Sequence, residues 1–289
     1  MSIRKILVPM DGSEHDRATL SAAFSVARMF DAHVAAVHVR IPPADALPFV
    51  GEGMSAALVQ ELVELTERES TARSAAARKT YQALLQEAGL PAVSSPPAPD
   101  AGAAAASAEW LDVAARDDTA ITRAGRLADL IVVARPEETS AVGAPTTFTT
   151  ALFETGRPVL VAAQQGDTLG ASRVVVAWDG SAQASRVVAA ALPFLARAED
   201  LTVVMARDSE DDTDDLGGVA DYLAWHGIAA RPRVVKPTPG VAEALLAAAD
   251  GADLLVMGGY SHSRLREMIL GGVTRHMLEK AKLPLLLAH

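Results

Sequence analysis

The chain has 289 residues, of which half are apolar and about a fifth are charged, so it can bury a large core and is too apolar to be disordered. Its formal net charge of −10 argues against duplex nucleic acid and anionic membranes as partners, because both need a basic face. The absence of cysteine excludes disulfides, thiol catalysis and thiolate metal sites. With no 18-residue apolar run and no signal-peptide pattern, the composition predicts a cytoplasmic chain without a transmembrane helix.

The first predicted elements are strands and helices in alternation. A β-branched run ends in Asp-Gly-Ser at residues 11–13, an alanine-rich stretch at 18–29 predicts a helix, and 33–39 predicts a second strand. Residues 54–88 then show helical periodicity without proline or glycine, and a proline-rich loop follows at 94–99. The long helix is a candidate contact surface, although packing against its own sheet explains the pattern equally well.

The second half repeats this order, with a helix predicted at 184–198 and a strand at 201–206. Three motifs occur once in each half: Asp-Gly-Ser at 11–13 and 179–181, Ala-Asp-Leu at 128–130 and 252–254, and a Pro-led strand at 158–162 and 284–288. Their offsets are 168, 124 and 126, so the first half carries about 44 extra residues, mostly between 42 and 110. The repeat predicts two domains, at 1–165 and 171–289.

Each half alternates strands with helices, which predicts βαβ units and a parallel sheet covered by helices on both faces. We expect five strands per half, and they are continuous apolar runs, as buried parallel strands usually are. In an α/β sheet of this kind, ligands bind beyond the carboxyl ends of the strands, where the strand order reverses.

The segment after the fourth strand of the second half contains glycines suited to phosphate binding. The strand ends at Gly258, and Gly271 and Gly272 open the last helix. Free N–H groups at a helix start attract anions, and glycine allows an anion to approach closely. The other interpretation is that these glycines only permit a tight turn between strand and helix.

Taken together, these motifs resemble a tandem universal stress protein over the whole chain except the first-half extension. The resemblance implies an α/β fold with two Rossmann-like domains of the adenine nucleotide alpha hydrolase type. Each domain would be a five-stranded parallel sheet of order 3-2-1-4-5, flanked by helices. It also implies that the fifth strands, at the edges, pair the two domains within one chain, and it leaves a further homodimer open.

ATP-binding members of that family carry Gly-x2-Gly-x9-Gly-(Ser/Thr) after the fourth strand. The second half keeps this spacing, but Ser261 replaces a glycine and Gly272 replaces the hydroxyl residue, with Thr274 close by. In the first half, residues 134–143 lack the pattern, and we expect no phosphate loop there.

The resemblance therefore implies a site for ATP, with magnesium, in the C-terminal domain. The expected contacts lie at strand ends, in the glycine loop and at the start of the last helix: Ala177, Trp178, Asp179, Met205, Met257, Gly258, Ser261, His262, Gly271, Gly272, Val273 and Thr274. Asp179 also has a structural interpretation, because Asp-Gly is turn chemistry and Ser181 is suited to cap the next helix. Ser13 is placed in the same way in the first half, where Asp16 gives it the spacing of a capping box.

A cluster of carboxylates argues against a triphosphate. It follows the second strand of the second half and is expected on the sheet edge of the glycine loop: Asp208, Glu210, Asp211, Asp212, Asp214 and Asp215. A divalent cation would reverse the effect of these charges, whereas a solvated loop explains them without any ligand.

The sequence thus predicts a stress-response protein that binds an adenine nucleotide in its C-terminal half. The alternative is a nucleotide-free interaction or scaffold protein of the same fold, which the departures at Ser261 and Gly272 favour. A weak nucleotide hydrolase is the third hypothesis. It needs a general base or a metal site, and the sequence contains no convincing one, so no catalytic residue and no metal ligand is predicted.

Overall fold

The computed structural model describes residues 2–40, 55–98, 105–115, 117–136, 147–163, 169–208, 214–259 and 272–289. In the first half the described elements are β1 (Lys5–Met10), α1 (His15–Phe30), β2 (His33–Arg40), α2 (Ala56–Ala88), β3 (Ser107–Ala114), α3 (Asp117–Gly125), β4 (Leu130–Val133), α4 (Thr147–Glu154) and β5 (Val159–Val161). In the second half they are β6 (Arg173–Ala177), α5 (Ala182–Leu195), β7 (Asp200–Ala206), α6 (Asp214–Trp225), β8 (Arg231–Val235), α7 (Val241–Ala248), β9 (Leu254–Gly258), α8 (Gly272–Lys280) and β10 (Leu285–Ala288). The predicted helices and strands are confirmed to within one helical turn at their ends.

The described strands form one ten-stranded sheet of order β3-β2-β1-β4-β5-β10-β9-β6-β7-β8. Within each half, neighbouring strands are parallel and follow the predicted order 3-2-1-4-5. The halves meet where β5 and β10 pair antiparallel, with Leu160 opposite Leu286. The prediction that the fifth strands join the two domains within one chain is therefore confirmed. The domain boundary expected between 165 and 171 falls partly outside the described residues and stays a prediction.

Apolar side chains cover both faces of the sheet, because parallel strands are enclosed by helices on both sides. Along β6, for example, Val174 and Val176 belong to one layer of the core, and Val175 and Ala177 belong to the other. This alternation of layers along a fully apolar strand explains why the sequence showed continuous runs. None of the helices in the described ranges has the length and apolarity that a bilayer crossing requires.

The aspartate of the repeated Ala-Asp-Leu motif ties two strands together at their amino ends. A carboxylate oxygen of Asp129 accepts hydrogen bonds from the N–H groups of Arg4 and Lys5, at 2.8 and 2.9 Å. Asp253 accepts in the same way from the N–H of Arg173, at 2.9 Å. The fold therefore accounts for this motif in both halves without a ligand.

About half of the extra length of the first half lies in helix α2, which has 33 residues where α6, its counterpart between the second and third strands, has 12. Ser55 caps its N-terminus, where Oγ accepts a hydrogen bond from the N–H of Leu58 at 3.3 Å. Gly89, with a φ of +61°, ends it. Only its C-terminal part is packed on the domain, through the buried side chains of Ala77, Tyr81 and Leu84.

Candidate functional site

The carboxyl ends of β6, β7 and β9 bring together the strand residues expected at the site. Ala177 lies opposite Val204 and Met257 in the register, so the next residue, Trp178, lies beside Met205 and Gly258. Ala177, Met205 and Met257 are buried in the core. Trp178 is half-buried, and its Nε1 is enclosed without a hydrogen-bond acceptor among the described residues.

Gly258 has a structural reason to be glycine. A Cβ atom at this position would lie 2.8 Å from the backbone nitrogen of Ala184 in the first turn of α5. Such a distance is not tolerated by real side chains, so Gly258 allows α5 to begin directly against the end of β9. Gly258 therefore serves the packing of β9 against α5, which differs from the tight turn to the next helix that the sequence suggested.

The turn that follows β6 combines a capping side chain with two open backbone donors. Asp179 accepts a hydrogen bond from the N–H of Ser181 at 3.0 Å, and Ser181 Oγ accepts one from the N–H of Ala184 at 3.1 Å. Ser181 is therefore the N-cap of α5, as predicted. Within the described part of the chain, the N–H groups of Asp179 and Gly180 have no acceptor.

In the first half the same two donors are occupied. The carboxylate of Asp16 accepts from the N–H of Asp11 at 3.2 Å and from that of Gly12 at 2.9 Å. Asp16 is buried, and this burial, followed by the nearby charge of Asp11, raises its pKa to about 6. The prediction that Ser13 and Asp16 form a capping box is wrong. The Asp16 carboxylate does not reach back to the N–H of Ser13, because it accepts from the turn instead. Helix α1 begins after Glu14, whose side chain makes no capping hydrogen bond, and among the described residues Ser13 Oγ accepts only from the N–H of His15, at 3.3 Å.

Helix α2 also covers the first-half turn. A Cβ atom at Gly12 would lie 2.5 Å from the carbonyl oxygen of Arg73, so the helix backbone rests directly on this glycine. At Gly180, the corresponding position, the nearest atom to such a Cβ is a carboxylate oxygen of Asp215, at 3.6 Å. The crevice beyond the first strand is therefore closed by the chain itself in one half, whereas in the other half the described residues leave it more open.

The aromatic side chains beside the first-half turn fill the rest of that space. His38, which corresponds to Met205, is buried and bonds through Nδ1 to the carbonyl of Met10 at 2.8 Å. Its ring stacks on Trp110, which in turn contacts Tyr81 of α2. The expectation that the first half has no phosphate loop stays a prediction, because residues 137–146 lie outside the described residues.

Part of the expected glycine loop cannot be placed. Ser261, His262 and Gly271 lie outside the described residues. Gly272 begins α8 and is exposed, and no atom of the described residues lies within 4 Å of a Cβ added there. Val273 is half-buried and Thr274 is buried. The structure thus describes the start of α8, and the contacts expected from Ser261, His262 and Gly271 stay predictions.

The acidic segment is also only partly described. Asp208 and Asp215 are exposed, and Asp215 forms an ion pair with Arg207 at 3.2 Å. Asp214 begins α6, and Glu210, Asp211 and Asp212 lie outside the described residues. Asp215 does lie next to the turn of β6, as the sequence led us to expect. No group of three or more metal-ligating side chains is found among the residues that are described.

Sequence reasoning missed one residue, Arg135. It corresponds to Gly259 of the other half, yet it crosses the interface between the halves. Its Nη1 donates to the carbonyls of Met277 and Leu278, at 3.1 and 2.7 Å, and its Nη2 donates to that of Leu283 at 3.1 Å. Burial lowers its pKa to about 10, so it remains charged at neutral pH and faces the negative end of the α8 dipole. The available signal was an arginine directly after an apolar strand, at a position that is glycine in the repeat.

The comparisons with known proteins agree with this architecture. The model of the universal stress protein family matches residues 2–144 and 205–289. The curated universal stress protein Slr1230 of Synechocystis is 28% identical over 138 residues, which span 45% of this chain and 46% of that protein. The aligned region therefore covers about half the length of that relative.

Two solved structures show the same fold over nearly the whole chain. A universal stress protein from Archaeoglobus fulgidus superposes with a TM-score of 0.67 at 18% identity, covering 98% of this chain and 97% of the other. A protein of unknown function from Pseudomonas aeruginosa superposes with a TM-score of 0.56 at 15% identity, covering 99% and 92%. At these identities the likeness concerns the fold alone. The two-segment family match, together with the doubled 3-2-1-4-5 sheet, shows that the chain belongs to the universal stress protein family.

Proposed function

We propose that this protein acts in a stress response by binding an adenine nucleotide at the carboxyl edge of its C-terminal half, while its N-terminal half binds none. The observation that carries the proposal is the pair of open N–H groups at Asp179 and Gly180. Two adjacent backbone donors in a turn form a small concave site for an acceptor. The first half indicates what such a turn accepts, because there both donors hold a carboxylate.

The surroundings favour a nucleotide over a simple anion. Ala177, Met205 and Met257 give the crevice an apolar floor, and Trp178 adds an aromatic wall, as is common in sites that hold a base. The exposed start of α8 at Gly272 offers backbone donors to phosphate. Ser261, His262, Gly271, Val273 and Thr274 are proposed as the remaining contacts of the site. Magnesium would offset the carboxylate of Asp215 beside the turn.

A second function is favoured by that same carboxylate. Asp215 lies close to Gly180, and its charge repels a polyanion unless a cation intervenes. Under this alternative the protein is a nucleotide-free scaffold. The hydrolase hypothesis stays open only if ATP is turned over steadily and that turnover is lost on Asp179→Ala.

The experiment compares two matched variants. Asp179→Ala and Asp11→Ala each remove a carboxylate that accepts from a serine N–H, at 3.0 and 2.9 Å. Because Asp11→Ala also removes the charge that raises the pKa of Asp16, the shift with ATP is compared with each variant's own melting temperature without ATP. Only Asp179→Ala should reduce the rise in melting temperature that magnesium ATP produces in the parent protein. Mass spectrometry of the denatured parent protein checks for co-purified nucleotide. The absence of any shift at millimolar ATP, or an equal loss in both variants, would contradict the proposal and support the scaffold.

A further inference from the structure

Helix α2 extends well beyond the part of it that its own domain covers. The side chains of Ala77, Tyr81 and Leu84 are buried against the sheet. From residue 57 to residue 76, by contrast, every side chain is exposed or half-buried. A helical segment without tertiary contacts is only marginally stable in water, since most helical stability in proteins comes from packing of an apolar face. A second packing partner would cover the face of α2 that its own domain leaves exposed.

One exposed face of α2 carries a regular stripe. Its residues follow an alternating spacing of four and three, as in a coiled coil, and we call them the outer stripe: Leu58, Leu62, Leu65, Glu69, Ala72, Ala76, Lys79 and Ala83. Leu58 and Leu65 are 45% and 51% exposed. The leucines all lie in the N-terminal part of the stripe, and the alanines lie in the C-terminal part.

We propose that two copies of this chain associate through antiparallel pairing of their α2 helices along the outer stripe. With a two-fold axis between Ser70 and Thr71, Leu58 of each copy lies opposite Ala83 of the other, and Leu65 lies opposite Ala76. A large side chain then faces a small one at both levels, which allows close packing of two helices. A two-fold interface must be self-complementary, and this stripe meets that condition.

The charges of α2 select the same direction. Its N-terminal part is acidic on balance, because Glu61, Glu64, Glu67 and Glu69 outnumber Arg68, which pairs with Glu64 at 3.5 Å. The part that follows is basic, with Arg73, Arg78 and Lys79, and all these charged side chains are exposed. Antiparallel pairing brings Glu61 beside Lys79 of the other copy and Glu69 beside Arg73. Parallel pairing would instead place Glu69 against Glu69 and Lys79 against Lys79. Exposed ion pairs contribute little affinity, but they fix orientation and partner.

The C-terminal end of the stripe adjoins an open groove. The groove is lined mostly by apolar atoms and includes Leu85, Leu90 and Pro91. Ala83 lies beside it on α2, next to Gln82 of the lining. In the antiparallel pair, Leu58 of the second copy arrives at this end. The groove therefore receives the most exposed N-terminal turn of the partner helix.

Sedimentation of the full chain between about 1 and 100 µM tests the association. The parent protein should be a dimer at the upper concentrations, and Leu65→Glu should weaken the dimer at least 10-fold, because it places a carboxylate against the apolar side chain of Ala76 in the other copy. Leu127→Glu is the matched control, since Leu127 is a 74% exposed leucine outside α2, and it should leave the dimer unchanged. A monomeric parent protein, or equal effects of the two variants, would overturn the proposal.

Charge exchange separates the interface from an effect on the helix itself. Glu61→Lys and Lys79→Glu should each weaken the dimer several-fold, because each places like charges together in the antiparallel pair. The double variant restores opposite charges and should recover the parent affinity. Failure of the double variant to recover would overturn the pairing.

Disulfide trapping tests directly whether the two α2 helices pair antiparallel or parallel, and the chain has no cysteine of its own that would interfere. Leu58→Cys and Ala83→Cys chains, mixed and oxidised, should form a disulfide between unlike chains only. In the antiparallel pair two Leu58 positions are roughly 37 Å apart along the axis, which no disulfide spans. Links between like chains would show parallel pairing and overturn the proposal.

Discussion

The turns after β1 and β6 have the same Asp-Gly-Ser sequence but different surroundings. At Gly12 the backbone donors are taken by Asp16, and the carbonyl of Arg73 lies against the glycine. In the second turn Ala184 stands at the position of Asp16, the described residues leave the two donors open, and Asp215 is the described residue nearest to Gly180. One short motif therefore serves as a closed structural turn in one domain and as a candidate binding site in the other. The carboxylate of Asp16 and the greater length of helix α2 close the first turn, and the second half has neither.

The largest effect should come from Arg135, which has no equivalent side chain in the second half because Gly259 stands there. Arg135→Met leaves the carbonyls of Leu278 and Leu283 without this donor, whereas the carbonyl of Met277 still accepts from the N–H of Ala281. We expect the free energy of unfolding to fall by about 4 kcal/mol, because each polar group that loses its hydrogen-bond partner away from water costs about 1–3 kcal/mol. Urea denaturation measures this loss. Arg123→Met, at an exposed position, is the control and should change it by less than about 0.5 kcal/mol.

Alanine at the two turn glycines should separate the roles of backbone strain and of helix α2. Both glycines have a positive φ, +86° at Gly12 and +76° at Gly180, so each substitution costs about 1 kcal/mol of strain. Gly12→Ala also pushes against Arg73, which adds about 2 kcal/mol of overpacking. Thermal or urea unfolding should therefore show Gly12→Ala as clearly the more destabilising. Equal losses would mean that α2 does not rest on the turn.

Asp16 should give the first domain a dependence on pH that the second domain lacks. Its pKa is raised from 3.8 to about 6, so between these values the folded state holds a proton that the unfolded state has released. Stability from this group is therefore complete at low pH and is lost as the pH rises from about 4 to about 6. Asp16→Asn removes the titration. The difference in unfolding free energy between parent and variant should thus shift by roughly 2–3 kcal/mol from pH 3.5 to pH 7.

An unchanged difference across that range would contradict the raised pKa. The corresponding position in the second half is Ala184, which has no group to titrate, so the second half lacks this particular dependence on pH.

The strands of the sheet could be predicted from the sequence, but the way in which Asp16 and α2 fill the crevice of the first half could not. The positions of the strands follow from a repeated pattern of apolar runs, because such runs report burial on both faces. The strand order and the join between β5 and β10 were instead implied by the family resemblance. Asp16 gave a capping-box spacing, a local pattern, whereas its actual use depends on the path of the turn after β1. Arg135 could not be interpreted from local sequence either, since its acceptors lie more than 140 residues away. Contacts between distant segments of the chain leave no periodic trace in the sequence.

The smallest effect concerns the charge beside the open turn. Asp215→Asn removes a carboxylate close to Gly180 and gives up an exposed ion pair with Arg207, which costs well under about 1 kcal/mol of stability. If a nucleotide phosphate lies near this turn, the loss of one like charge should tighten ATP binding by about two- to five-fold at low salt, and the gain should shrink as salt increases.

Asp221→Asn, an exposed substitution on the same helix, is the matched control for the change in net charge. Titration calorimetry at two salt concentrations distinguishes the cases. A gain for Asp215→Asn alone places phosphate beside the turn, an equal gain for both variants reports only net charge, and no binding in either favours the scaffold.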